Sequence, residues 1–256
     1  MQGKSILITG AGSGIGRETA RLFARRGWLV GAVDVAEAAV AALAAEFPAG
    51  TILPIVADVR SADGARAMVE ALTAKTGGTL DVLFNCAGVL RMGPYETIPP
   101  ADRALTVDVN ITGVLNGLDA AFEALKRTPG AHVVSMSSTS AEYGTPDLAV
   151  YSASKFFVRG LTEALNIEWA RHDINVSALL VAYVRTPMIV DAKVKARSVD
   201  RLGIKIAPER VAAAVWKAAR SNGSLHRVGF DAVALDLVVR LLGRRVRGLY
   251  RMLTGY

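Results

Sequence analysis

An α/β fold, an open parallel sheet covered by helices on both faces, is what this sequence predicts, and three observations predict it. Short β-rich apolar runs alternate with helical stretches along most of the chain, and a glycine-rich turn joins the first run to the first helix. Of the 256 residues 52% are hydrophobic, yet no apolar run reaches the ~18 residues of a bilayer span. The apolar excess therefore belongs to a sheet buried on both faces. A chain of this length buries an ample core and is expected to form one domain.

Residues 4–9 form the first run and lead into Gly10-Ala11-Gly12-Ser13-Gly14-Ile15-Gly16. The next stretch carries Ile15, Thr19, Leu22 and Phe23 at helical spacing. In a strand, glycine turn, helix context the glycines let backbone approach a pyrophosphate, and the helix N-terminus offers unpaired N–H groups and partial positive charge. Gly10, Ser13, Gly14, Ile15 and Gly16 are thus candidate cofactor contacts. Residues 29–33 read as a second strand ending in Asp34, about 20 positions beyond the loop, where an acidic residue meets a ribose 2′-hydroxyl. Asp34 would repel a 2′-phosphate, and neither Ser13 nor Val35 offers a cation, so NAD is favoured over NADP. An Asp that caps the next helix would also explain the residue by itself.

Further β runs at 52–57, 82–85, 132–136 and 174–181 alternate with helices expected at 35–46, 61–76, 101–127 and 151–171. Ligands on such a sheet bind outside the carboxyl ends of its strands. Asp58-Val59 follows the third strand and Asn85-Cys86-Ala87-Gly88 ends the fourth, although both are ordinary turn sets. In the helix at 151–171, Tyr151 and Lys155 stand four apart and share a face. A cation beside a phenol favours the phenolate, so the Tyr151 pKa is expected to move down from ~10 toward the working range of a general acid/base.

Charge and special residues narrow the function classes. Six Arg and two Asp between residues 225 and 256 carry +4 of the net +7, and no basic face interleaved with aromatic residues argues for nucleic acid. Cys86 is the only cysteine, so no intrachain disulfide can form, and His132, His172 and His226 are too scattered to infer a metal site. The N-terminus runs directly into the first strand with no room for a signal peptide, and a cytoplasmic location is expected.

With these residues in place, the chain resembles the short-chain dehydrogenase/reductase family from about residue 4 to 188. Thr9-Gly10-x-x-x-Gly14-Ile15-Gly16 matches its cofactor loop, and Asn85-Cys86-Ala87-Gly88 matches its Asn-Asn-Ala-Gly motif with one substitution. Val109-Asn110-x-x-Gly113, Met136-Ser137-Ser138 and Tyr151-x-x-x-Lys155 match the catalytic motifs in order. The resemblance implies a Rossmann-like doubly wound sheet of about seven strands and a hydride transfer between NAD(H) and a secondary alcohol or ketone. Tyr151 would be the general acid/base, with Ser138 binding the reacting oxygen. Lys155 would lower the phenol pKa and hold the nicotinamide ribose, and Asn110 would hold the main chain and a relay water. The resemblance also implies that Asp58 and Val59 contact adenine, that Asn85, Ala87 and Gly88 line the path to the nicotinamide ribose, and that Val184 and Thr186 contact the cofactor. Ser137 competes with Ser138, but the separation of thirteen residues to the tyrosine favours Ser138. Where the family has Pro-Gly after the sixth strand, this chain has Val181-Ala182.

The substrate wall is expected to comprise Leu90, Met92, Tyr143, Val181 and Met188 beside Ser138, an apolar set suited to a steroid-, retinoid- or fatty-alcohol-like molecule. A lid is expected at about 187–207, where Lys193, Lys195, Arg197, Arg201 and Lys205 make the chain basic. Residues 1–230 form the cofactor-binding and catalytic unit. Residues 231–253 read as one helix of the same domain, with Leu235, Val238, Val239, Leu242, Val246, Leu249, Tyr250 and Leu253 on one face and Arg240, Arg244, Arg247 and Arg251 on the other. It would dock on the body, on a sister subunit of the dimer or tetramer common in the family, or peripherally on an anionic membrane. The alternatives to an enzyme are a module that senses NAD/NADH without turnover and a membrane-surface protein that works through its basic tail.

Overall fold

The strands are β1 (Ser5–Thr9), β2 (Leu29–Asp34), β3 (Ile52–Val56), β4 (Val82–Asn85), β5 (Ala131–Met136), β6 (Ile174–Val181) and β7 (Leu225–Val228). They pair in parallel in the order β3-β2-β1-β4-β5-β6-β7, with Ile8 opposite Ala32 on one side and Phe84 on the other. The chain builds outward from β1 in one direction and then restarts at β4 in the other. Between β1 and β4 the crossovers leave on opposite faces, and this switch point opens the crevice that ligands use. The computed structural model describes residues 3–254, but within them not the side chains of Phe230, Asp231, Arg240, Arg244, Leu249, Leu253 and Thr254. Met1, Gln2, Gly255 and Tyr256, and the sequence assignments of Arg240, Arg244, Leu249 and Leu253 to helix faces, lie outside the described residues.

The helices are α1 (Gly14–Arg25), α2 (Glu37–Ala44), α3 (Ala62–Thr76), α4 (Pro100–Val107), α5 (Gly113–Lys126), α6 (Ala149–Glu168), α7 (Pro187–Val190), α8 (Arg197–Leu202), α9 (Pro208–Ala218), α10 (Phe230–Leu242) and α11 (Val246–Thr254). Every residue of β1 is buried, as expected where helices cover both faces. On one face α1 and α9 pack through Phe23, whose ring lies 5.0 Å from Trp28 and 4.9 Å from Trp216. On the other, Met68 and Leu72 of α3, Leu118 of α5 and Val158 of α6 form the core. Each such side chain contributes roughly 1.5–3 kcal/mol on burial. α3 shows how local sequence sets ends: Ser61 Oγ accepts from Gly64 N (3.2 Å), and Gly77 closes the helix at φ +65°.

The structure departs from the sequence reading in three places. The helix expected at 101–127 is two helices joined by a π turn, Asp108–Thr112, which carries Asn110 to full burial. β7 and α9 were not marked by periodicity, because Leu-His-Arg-Val offers too short an apolar run to register as a strand. The single tail helix is broken: Gly243, at φ +48°, ends α10, and a 3₁₀ turn (Gly243–Arg245) leads into α11. Among the described residues, no helix is long and apolar enough to cross a membrane.

Candidate active site

β1 ends where the first cavity begins. Thr9 Oγ1 accepts from Cys86 N (3.0 Å) and Ala87 N (3.1 Å), tying the ends of β1 and β4 together. Two glycines are required by close approach. A Cβ at Gly16 would lie 2.2 Å from the Gly10 carbonyl oxygen, and one at Gly10, at φ +71°, would lie 2.8 Å from Ala87 Cα. The Asp34 carboxylate accepts from Gly12 N (2.9 Å) and Ala36 N (3.0 Å), which fixes it at the cleft wall.

These elements enclose a cleft of about 610 Å³ lined by Gly10, Ser13, Gly14, Ile15, Gly16, Asp34, Asp58, Val59, Ala87, Gly88 and Thr186, all singled out from sequence. Others singled out lie elsewhere. Asn85 is buried beneath the cleft, its Nδ2 donating to Ser135 Oγ (3.4 Å), because the last residue of β4 points into the packing of α5. Val184 lines a second cavity instead. Arg60 and Cys86 line the cleft and were not singled out. Arg60 Nη2 donates to Asp58 Oδ2 (2.6 Å), and this hydrogen-bonded guanidinium holds the Asp58 carboxyl below its ordinary range. Burial pushes the Cys86 thiol up to about 12, so it is a neutral wall residue. The Arg60–Asp58 proximity, two residues apart, was the one sequence signal for this pair.

The second cavity, about 350 Å³, contains Ser138 and Tyr151 and shares Ile15, Thr186 and Met188 with the cleft, so the two adjoin. Burial pushes the Tyr151 phenol up to about 12, against a hydrogen bond with Ser138 that acts to lower it. This corrects the expected downward shift. The Lys155 ammonium donates to the Met136 carbonyl (2.9 Å) and stands 5.4 Å from the Tyr151 ring centroid, so its hydrogen bond goes to the main chain. Burial in turn pushes Lys155 down to about 8. Ser137 Oγ donates to the Lys155 carbonyl (3.0 Å), leaving Ser138 as the serine of this pair on the cavity.

Asn110 braces this cluster from behind. Its Nδ2 donates to the Val89 carbonyl (3.0 Å) and Ser154 Oγ (3.1 Å), and its Oδ1 accepts from Val89 N (2.8 Å). Ser154 Oγ donates onward to the Tyr151 carbonyl (2.7 Å). A π turn in the chain before α5 thus reaches the first turns of α6 through one amide.

Of the substrate-wall residues, Leu90 and Met188 line the second cavity. Three do not. Val181 is the last residue of β6 and packs into the sheet core, because the pleat of the strand turns its side chain inward. Met92 is buried with Leu148 and Val199, its sulfur accepting from Ala196 N (3.4 Å). Tyr143 turns toward the tail, with ring centroids 4.4 Å from Tyr250. The wall is completed instead by Tyr183 and by Leu235, Val238 and Tyr250 of the tail. Tyr183 Oη lies 2.6 Å from Ser198 Oγ of α8, which connects the expected lid to the cavity.

An ion network fastens the tail wall. Glu142, buried just after Ser138, receives Arg227 Nε (3.0 Å) on one oxygen and the Arg159 guanidinium on the other, and Arg227 Nη2 donates to Asp236 of α10 (2.7 Å). Removing the charge at the centre leaves two guanidinium groups short of a partner. Glu142→Gln is expected to lower stability by about 2 kcal/mol, the arginines being partly solvated, as measured by urea unfolding at neutral pH.

Comparison with known proteins identifies the family. The family described as short chain dehydrogenase matches residues 4–196. Oxidoreductase UcpA of Salmonella typhimurium (strain LT2) is 38% identical over 191 residues, covering 73% of this chain and 72% of that protein. A 3-ketoacyl-(acyl-carrier-protein) reductase of Brucella melitensis complexed with NADH superposes with a TM-score of 0.80 at 31% identity, covering 89% of this chain and 97% of that one. A short chain dehydrogenase/reductase of Burkholderia phymatum in complex with NAD gives a TM-score of 0.83 at 26% identity over 96% and 95% of the two chains. With the glycine turn, the doubly wound sheet and these matches together, the chain belongs to the short-chain dehydrogenase/reductase family of oxidoreductases.

Proposed function

We propose that this oxidoreductase transfers a hydride between NAD(H) and a lipophilic secondary alcohol or the matching ketone. The observation that carries the reading is the junction of the two cavities. Tyr151 and Ser138 stand in a cavity walled by Leu90, Leu235, Val238 and Met188, and that cavity adjoins the glycine-lined cleft at Ile15 and Thr186. The cleft fits a dinucleotide: backbone replaces side chain at Gly10 and Gly16, α1 presents its N-terminus, and Asp34 offers carboxylate oxygens for ribose hydroxyls. The relatives solved with NADH and NAD support the same cofactor here.

Bound nicotinamide would supply or accept the hydride at carbon. Tyr151 gives its phenolic proton to the oxygen of the ketone as it becomes an alcohol, and takes that proton back in oxidation. Ser138 donates to the same oxygen and sets it within reach of the phenol. Lys155 carries positive charge beside the phenol ring, and Asn110 keeps the Val89 main chain and the start of α6 in register. The apolar wall suits a substrate whose remainder carries no charge, because a buried unpaired charge would be costly.

The protonation states give the two directions different pH dependence. Tyr151, pushed up to about 12, is protonated through neutral pH, so reduction has its acid ready and oxidation must wait for the phenolate. Oxidation is therefore expected to climb steeply from neutral to alkaline pH. Lys155, pushed down to about 8, loses its charge above that value, so reduction is expected to be flat below it and to fall above it. Initial rates in both directions across this range check the pair.

The reading as a whole is tested by nicotinamide fluorescence titration with NADH and NADPH, followed by a screen of steroid, retinoid, aliphatic and 3-oxoacyl thioester ketones. Tight NADH binding, weak NADPH binding and oxidation of NADH by a bulky ketone are expected. Tighter NADPH binding would overturn the cofactor assignment, and binding without turnover of any ketone would point to a sensor.

A further inference from the structure

We propose that the outer surface of α10 and α11 seats on an anionic lipid bilayer. α10 is apolar on two sides. Leu235 and Val238 line the substrate cavity, while Val233, Leu237 and Leu241, at i, i+4 and i+8, stand 52%, 57% and 75% exposed. A helix apolar all round is ordinarily buried, so the outer stripe calls for an apolar neighbour. α11 follows in the chain and also has an exposed side. Its Val246 and Tyr250 face inward and are buried, while Met252 is 66% exposed beside the exposed Arg247 and Arg251, with Arg245 in the turn before it. The Arg201 guanidinium of α8 donates to the Met252 carbonyl, which joins the basic lid segment to the same region.

Charge selects the occupant. Five arginines fall between residues 240 and 251, with no acidic residue among them. A second copy of this chain related by a twofold axis would set this surface against itself, arginine against arginine. An acidic headgroup layer offers the opposite charge, and its acyl boundary accepts Leu237, Leu241 and Met252. An exposed apolar stripe followed in the chain by exposed arginines suits helices lying in the interface plane, and residues that line the cavity need not move for them to seat.

Flotation of the 256-residue chain with phosphatidylglycerol-containing vesicles, against pure phosphatidylcholine vesicles, tests this. Co-flotation with the anionic vesicles alone, released by high salt, is expected. Arg245→Glu with Arg247→Glu changes the surface by four units of charge and is expected to reduce partitioning several hundredfold, at roughly fivefold for each unit near the surface. Leu237→Asp with Leu241→Asp is expected to reduce it at least about tenfold, through loss of the inserted apolar surface. Circular dichroism and thermal midpoint report whether each pair of variants is folded, and the two pairs are independent, so either one suffices. No co-flotation at low salt, equal partitioning to both vesicle types, or partitioning that neither folded pair changes would overturn the proposal. So would a dimer in sedimentation velocity that Leu237→Asp dissociates, which would assign the stripe to a second copy.

Discussion

Tyr151→Phe is expected to lower kcat for ketone reduction by about 10²–10⁴-fold while leaving the NADH dissociation constant near its original value. The size follows from what general acid catalysis by one positioned group supplies. The split follows from placement: Tyr151 lines the second cavity and does not line the cleft, whereas Phe keeps the ring against which Lys155 stands. The control is a second phenol on the same cavity. The Tyr183 hydroxyl is hydrogen-bonded with Ser198 Oγ at 2.6 Å and the residue has no lysine four positions on, so Tyr183→Phe is expected to retain kcat within a few-fold. Steady-state kinetics on both variants, with fluorescence titration of NADH, separates the two. If Tyr183→Phe loses activity and Tyr151→Phe keeps it, the acid has been assigned to the wrong phenol.

How much of this was legible in the sequence depends on the range of the interaction. The glycine turn, Asp34 and the Tyr151–Lys155 pair were readable because each is local: a turn, a strand end and a helix face are fixed by neighbours a few residues apart. The parallel sheet covered on both faces followed from alternation of strand and helix. The substrate wall was less readable because it is assembled from distant segments. Val181 and Met92 were chosen by position along the chain, yet the pleat of β6 turns one into the core, and the packing of Ala196 over the β4–α4 loop takes up the other. Leu235 and Val238 entered the wall only because Arg227, in a strand with no periodic signal, binds both Glu142 and Asp236 and holds α10 there. The Tyr151 pKa was misjudged for a related reason: a charge four residues away is visible in sequence, while the burial that opposes it is a property of the whole fold.

Asp34→Ala is expected to weaken NADH binding by about 10²–10⁴-fold and NADPH binding much less, so that the preference between them narrows or reverses. Two charge-assisted hydrogen bonds to ribose hydroxyls, at roughly 1.5–3 kcal/mol each, give that range. The carboxylate has a second task, since it also accepts from Gly12 N and Ala36 N, and its loss frees the glycine turn for either nucleotide. That shared loss cancels in the ratio of the two dissociation constants, which is why the ratio is the quantity to measure. Asp34→Asn sharpens the distinction. It keeps an oxygen for one backbone N–H while removing the charge that repels a 2′-phosphate, so NADPH is expected to gain in absolute affinity. Among the described residues the nearby cations are already engaged, Arg60 by the Asp58 carboxylate and Arg17 by the Gly12 carbonyl, so each would have to rearrange to meet a 2′-phosphate. The gain should therefore stop well short of the NADH affinity of the unaltered chain. An Asp34→Ala variant that loses both nucleotides equally would show that the carboxylate serves only to brace the turn.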